Sequence, residues 1–155
     1  VIDPAPHRIY EMFEVMAELE GMAGSLAARR HTDADRAELL AAHAKCEQSA
    51  NAEDSDTYYY DNELFHHAVY EASHSGFLIE QCAALHRRLR PYRRLQLRVR
   101  NRMKTSFNEH AAIVDAILAG EAEAARTLLR QHIAVQGDRF SDLVATLAQR
   151  GSERS

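Results

Sequence analysis

At 155 residues, with 46% hydrophobic and 27% charged side chains, the chain is sized and composed for one globular domain. It has no Trp, 3 Pro and 6 Gly, too few chain breakers for a loop-rich or all-β fold, and no apolar run approaches the ~20 residues that cross a bilayer. The net charge of −4 hides an asymmetry: residues 85–104 carry eight Arg and one Lys without an acid, leaving 10 bases against 23 acids elsewhere.

The hydrophobic periodicity predicts six long helices. The first runs from about His7 to Arg30, with Ile9, Phe13, Met16, Leu19, Met22, Ala23 and Leu26 at helical spacing. The second begins at Thr32-Asp33-Ala34-Asp35, where Thr32 caps and acids favour the first turn. The third starts in Asp54-Ser55-Asp56 and ends near Ser73. The fourth is predicted from Ser75 to about Lys104, with Pro91 as a kink or break. Ser106-Phe107-Asn108-Glu109 fits a capping box that opens the fifth, which ends at Gly120. The sixth runs from Glu121 to about Gln149, and residues 150–155 are expected to fray or be disordered. Short connections then imply a compact antiparallel all-α bundle of six to seven helices.

Three of these helices put a histidine where an apolar side chain is due. The third reads Tyr59, Asn62, His66, Val69 along its inward stripe; the fifth reads His110, Ile113, Val114, Ile117; the sixth reads Leu128, Leu129, His132, Val135, Leu143, Leu147. A buried imidazole without partners is costly. One reading is three core histidines, each hydrogen-bonded to a neighbour. The other is a metal site: Asn62 and His66 share a face at i and i+4, and His110 and His132 arrive from other helices. Three imidazoles and one oxygen suit Zn²⁺, Ni²⁺, Mn²⁺ or Fe²⁺. A di-iron arrangement is disfavoured, because Glu63-Leu64-Phe65-His66 and Glu71-Ala72-Ser73-His74 fall on one helix. Cys46 and Cys82 form no C-x-x-C pair and read as buried reduced thiols of a cytoplasmic protein.

On the fourth helix, Leu78, Cys82, Leu85, Leu89, Tyr92, Gln96, Val99 and Met103 form the expected buried seam, with Arg88 and Arg93 beside it. The arginines form either a solvated basic face or, in part, an anion pocket lined by Arg93, Arg88, Gln96 and Tyr92, since a guanidinium grips a carboxylate through two parallel hydrogen bonds. Nucleic-acid contact is disfavoured by the acidic remainder and by the lack of interleaved aromatic residues. An enzyme would need a general base, and the inward seams offer only Glu20, which can instead brace a histidine.

Phe13-Glu14-Val15, Leu19-Glu20-Gly21, Leu26-Ala27-Ala28-Arg29, Asn62-x-x-Phe65-His66, Ala72-Ser73, Glu109-His110-x-x-Ile113-x-x-Ala116-Ile117 and Ala125 … His132 occur in that order. This pattern resembles the FCD domain, the effector-binding domain of FadR-subfamily GntR-type transcriptional regulators, over about residues 7–145. The resemblance implies a homodimeric bundle around a pocket for a small carboxylate, next to a divalent metal held by Asn62, His66, His110 and His132. Many relatives carry Asp where this chain has Asn62, and Arg where it has Met16. Residues 1–6 then read as a linker and 7–149 as the domain. The winged helix-turn-helix domain of such regulators is expected to be absent from the chain, so that operator DNA is a partner only through that domain. An enzyme acting on a small anion, and a plain dimerisation module without metal, are the competing readings.

Overall fold

The computed structural model describes residues 5–154; the expected linker segment 1–4 lies outside the described residues. Six helices follow one another: α1 Pro6–Arg30, α2 Asp33–Asn51, α3 Ser55–Ala72, α4 Gly76–Gln96, α5 Arg102–Leu118 and α6 Ala122–Glu153. No strand occurs among the described residues, as the periodicity predicts.

Local chemistry sets most of the starts. Pro6 occupies the first turn of α1, where its missing N–H costs nothing. At α2, Thr32 Oγ1 accepts from the Asp35 N–H at 3.1 Å while the Asp35 carboxylate accepts from the Thr32 N–H at 2.9 Å, a reciprocal cap. Asp54 caps α3 by accepting from the Thr57 N–H at 3.1 Å.

Helix α1 is the centre of the bundle and packs on α3, α4, α5 and α6. Its most extensive partner is α6, and glycines bring the two close. A Cβ at Gly24 would lie 2.2 Å from Leu129 Cδ1, and one at Gly137 would lie 2.9 Å from Phe13 Cβ. Met16, Phe65, Val69, Leu89, Ile113, Ile117, Leu129 and Ile133 fill the core. Cys46 and Cys82 are free and buried, and burial pushes both thiols up to about 12.

Three boundaries differ from the sequence prediction. The fourth helix ends at Gln96 rather than near Lys104; it accommodates Pro91 and breaks later, at a turn in which Asn101 takes a left-handed φ of 66°. Continuing it would align Arg94, Arg98 and Arg102 on one face, where like charges four residues apart repel. The break instead turns Arg102 inward as the first residue of α5. Val99, assigned to the buried seam, is consequently 51% exposed. Ser106 is interior to α5 rather than its cap, and accepts the Tyr58 hydroxyl hydrogen bond at 2.8 Å. Helix α6 continues to Glu153 across the segment expected to fray, with Leu147 exposed. No described helix is long and apolar enough to cross a membrane.

Candidate metal centre

The three out-of-pattern histidines meet. His66 on α3, His110 on α5 and His132 on α6 are all buried, and one ring nitrogen from each lies within 4.8 Å of the others. Their ring centroids are 5.4, 5.4 and 4.9 Å apart. Asn62 sits one turn before His66, buried, with its Oδ1 lacking a protein hydrogen-bond partner.

Two carboxylates orient this cluster. Glu20, fully buried on α1, accepts from His66 Nδ1, and Glu109 Oε1 accepts from His132 Nδ1 at 2.9 Å. Each bond fixes the tautomer and turns Nε2 toward the cluster, as carboxylates do for metal-ligating imidazoles. His132 Nε2 and both nitrogens of His110 have no protein partner. The His110 ring is held by stacking on Phe65 at 4.0 Å. Burial, reinforced by neighbouring cationic groups, keeps His66 and His110 well below the usual histidine range, and burial lowers His132 too. A neutral imidazole with a free nitrogen is the form that ligates a metal. The donor set and its unpartnered atoms therefore fit a divalent cation.

A second buried cluster adjoins the first. Asn62, Arg93, Gln96, Leu97, Arg102, Ser106 and Gln136 line a cavity of ≈ 10 Å³, about the volume that admits one water. Arg93 is 5% exposed: its Nη1 donates to His86 Nδ1 at 2.6 Å, lies 3.6 Å from Glu20 Oε2, and its Nη2 is 3.5 Å from His66 Nε2. His86, buried on α4, is thereby required to be neutral, and burial together with Arg93 holds it far below its ordinary value. Gln96 donates to the Gln136 carbonyl at 2.7 Å, leaving its Oε1 unpartnered. Arg102 is 2% exposed, with Nη2 3.1 Å from Glu109 Oε1. Leu97 lines both this cavity and an open groove of ≈ 700 Å³ bordered by Ala50, Glu53, Arg98 and Lys104 among others.

Of the four side chains expected to line an anion pocket, Arg93 and Gln96 face the cavity. Tyr92 is half-buried with its ring edge-on to Phe140 at 5.3 Å, and Arg88 is exposed on the outer face of α4. Arg102, Ser106, Gln136, His86 and Glu109 were missed as site residues. The signal for Arg102 lay in its place within a run of arginines, but the misplaced helix boundary concealed it.

The sequence model of the FCD domain matches residues 11–135, more than half of the chain, a span that includes Glu20, Asn62, Arg93, Arg102, Glu109 and the three histidines of the cluster. The chain belongs to the FCD domain family. Among solved structures, this FCD domain superposes on McbR/YncC of E. coli with a TM-score of 0.71 at 25% identity, over 90% of this chain and 64% of that one. It thus spans less than two thirds of that protein's length. A search of curated protein sequences finds no match to this chain. The family and the six-helix fold agree with the resemblance carried by the separated motifs.

Proposed function

We propose that this FCD domain is the effector-sensing and dimerising part of a cytoplasmic GntR-type transcriptional regulator, acting on operator DNA through a separate winged helix-turn-helix domain. In this reading His66, His110, His132 and Asn62 hold a divalent cation (Zn, Ni, Mn or Fe), and a small carboxylate binds beside it against Arg93 and Gln96. The observation that carries the reading is the convergence of three neutral imidazoles, two of them anchored by carboxylates, with His132 Nε2 and both His110 nitrogens free of any protein partner and His66 Nε2 met only by the Arg93 guanidinium at 3.5 Å. A cation there supplies a Lewis-acid contact for a carboxylate oxygen. The surrounding side chains orient that anion and exclude water. Arg93 presents a guanidinium already desolvated, which strengthens its grip on an anion.

Sensing is favoured over turnover by the disposition of the acids. Glu20 and Glu109 are both engaged with imidazoles and with arginines, so neither stands ready as a general base. The cavity is too small for a carboxylate as it stands, so binding must displace the ends of α4 and α5. That displacement gives the ligand a means of discriminating between two arrangements of the bundle, as regulation requires. A tenfold change in DNA affinity needs about 1.4 kcal/mol of such discrimination.

The test is elemental analysis of the purified protein together with a thermal-shift screen of small carboxylic acids. Stoichiometric metal that disappears in His132→Ala, with a rise in Tm on adding one class of acid, is expected. A parent protein without metal after incubation with each of the four cations, or a His132→Ala variant equally loaded, would overturn the metal assignment. A screen with no shift would overturn the effector assignment.

A further inference from the structure

We propose that Arg93 is a tethered cation that competes with the metal for His66 and so sets how tightly the cluster holds it. The proposal rests on the metal reading above and adds to it the group that a divalent cation must displace.

A guanidinium only donates, and a neutral imidazole has one nitrogen that donates and one that accepts. Arg93 Nη2 faces His66 Nε2 at 3.5 Å, so Nε2 is the acceptor and Nδ1 is the nitrogen that donates to Glu20. The lone pair on Nε2 serves a guanidinium or a metal, and not both. The conflict falls on His66 alone, because His132 Nε2 and both nitrogens of His110 have no protein partner. Arg93 is buried, so water scarcely screens its charge from an arriving dication.

The contact with His66 is also the one Arg93 gives up most readily. Nη1 is the anchor: it donates to His86 Nδ1 at 2.6 Å, and His86 turns its other nitrogen toward Glu63 Oε1, 3.5 Å away. Nη2 holds the longer bond and has a second resting place. Arg93, Gln96 and Asn62 line the same cavity, and Gln96 Oε1 and Asn62 Oδ1 are buried acceptors without a protein partner. Native interiors rarely leave such acceptors unmatched. With Asn62 on the metal, Gln96 Oε1 is the one left for Arg93, and Gln96 stands one turn after Arg93 on α4, on the same face. Metal entry then exchanges one hydrogen bond of Arg93 for another and strands no buried charge.

The experiment is titration of the protein with Zn²⁺ against a competing chromophoric chelator, at one pH, for the parent and its variants. Arg93→Met, of similar length and uncharged, should bind Zn²⁺ about tenfold to a hundredfold more tightly, the scale of one hydrogen bond to a charged group. A guanidinium that merely braced the ligands would give the opposite sign, since losing such a brace weakens metal binding. Arg93→Lys keeps the charge but loses the fork that reaches His86 and His66 together; it should fall between the two and serves if the Met variant does not fold. Gln96→Leu removes the second resting place. It should weaken Zn²⁺ binding in the parent and leave it unchanged in the Arg93→Met background, which separates displacement from the plain field of a nearby charge. The lost bond from Gln96 to the Gln136 carbonyl is common to both backgrounds and cancels. Variants at position 93 that bind no more tightly than the parent would overturn the competition and leave the metal reading standing. An equal effect of Gln96→Leu in both backgrounds would overturn the displacement. A parent and variants that bind none of Zn²⁺, Ni²⁺, Mn²⁺ and Fe²⁺ would overturn the metal reading and the competition with it.

Discussion

Glu109 Oε1 accepts from His132 Nδ1 at 2.9 Å, and the same oxygen lies 3.1 Å from Arg102 Nη2. Partial burial is outweighed by this hydrogen bond and by the charge of Arg102, which hold the Glu109 carboxyl below the ordinary glutamate range, so it is ionised at neutral pH. A charged acceptor on Nδ1 makes the imidazole a better donor through Nε2. Glu109→Gln keeps an acceptor of the same shape and removes the charge. Metal affinity should fall by about tenfold to a hundredfold, with the thermal transition of the metal-free protein little changed. Competition against a chromophoric chelator measures the first, and calorimetry the second.

Asn62 offers the cluster an oxygen without a charge. Asn62→Asp places a carboxylate at the same position and should tighten divalent-metal binding, since anionic oxygens bind hard cations more strongly than amides do. The same change should weaken binding of an anionic carboxylate beside the cluster, because it adds a negative charge there. Tighter metal with unweakened carboxylate binding in paired titrations would detach Asn62 from the ligand's surroundings.

Acid should unfold the metal-free domain through its imidazoles. His66, His86, His110 and His132 are held neutral in the fold, below the ordinary value of 6.5 that the unfolded chain regains. The unfolded state therefore binds more protons as the pH drops below about 6.5, and stability is complete above that point and declines beneath it. Each imidazole contributes up to about 1.4 kcal/mol per pH unit in that range. A Tm of chelator-treated protein that stays constant from pH 7 to pH 5 would contradict the buried neutral assignment.

The α1–α6 contact makes a prediction separate from the site. Gly137→Ala introduces a Cβ 2.9 Å from Phe13 Cβ, an atom fixed to the α1 backbone and unable to rotate away. The gain in helix propensity is about 1 kcal/mol, against about 1–3 kcal/mol for overpacking. Net destabilisation by about 1 kcal/mol is expected, read from urea denaturation.

Much of this arrangement is legible in the sequence because burial leaves a periodic trace. His66, His110 and His132 each interrupt an apolar stripe, and Asn62 stands one turn from His66, so the four candidates emerge from spacing. Glu20 emerges as the one acid on an inward seam. What spacing does not carry is convergence, since it reports the face a residue occupies and not the partner that face meets. The run from Arg87 to Arg102 was harder. An uninterrupted period of three and four continues the helix through Val99, and no Gly or Pro marks the break at Asn101. After the break Arg102 turns inward to pair with Glu109, and hydrophobic periodicity does not register charge. The role of Glu109 depends on the same boundary: with α5 starting at Ser106 it is a terminal acid, and with α5 starting at Arg102 it faces His132.

Leu97 lines both the inner cavity and the outer groove, on a turn bounded by Asn101 in its left-handed conformation. A solute reaching the cavity by this path waits for the turn to swing out. Its observed association rate should then climb with concentration only at first and level off at the opening frequency of the turn, so that the kinetics of capture are written into five backbone residues and not into the chemistry of the solute.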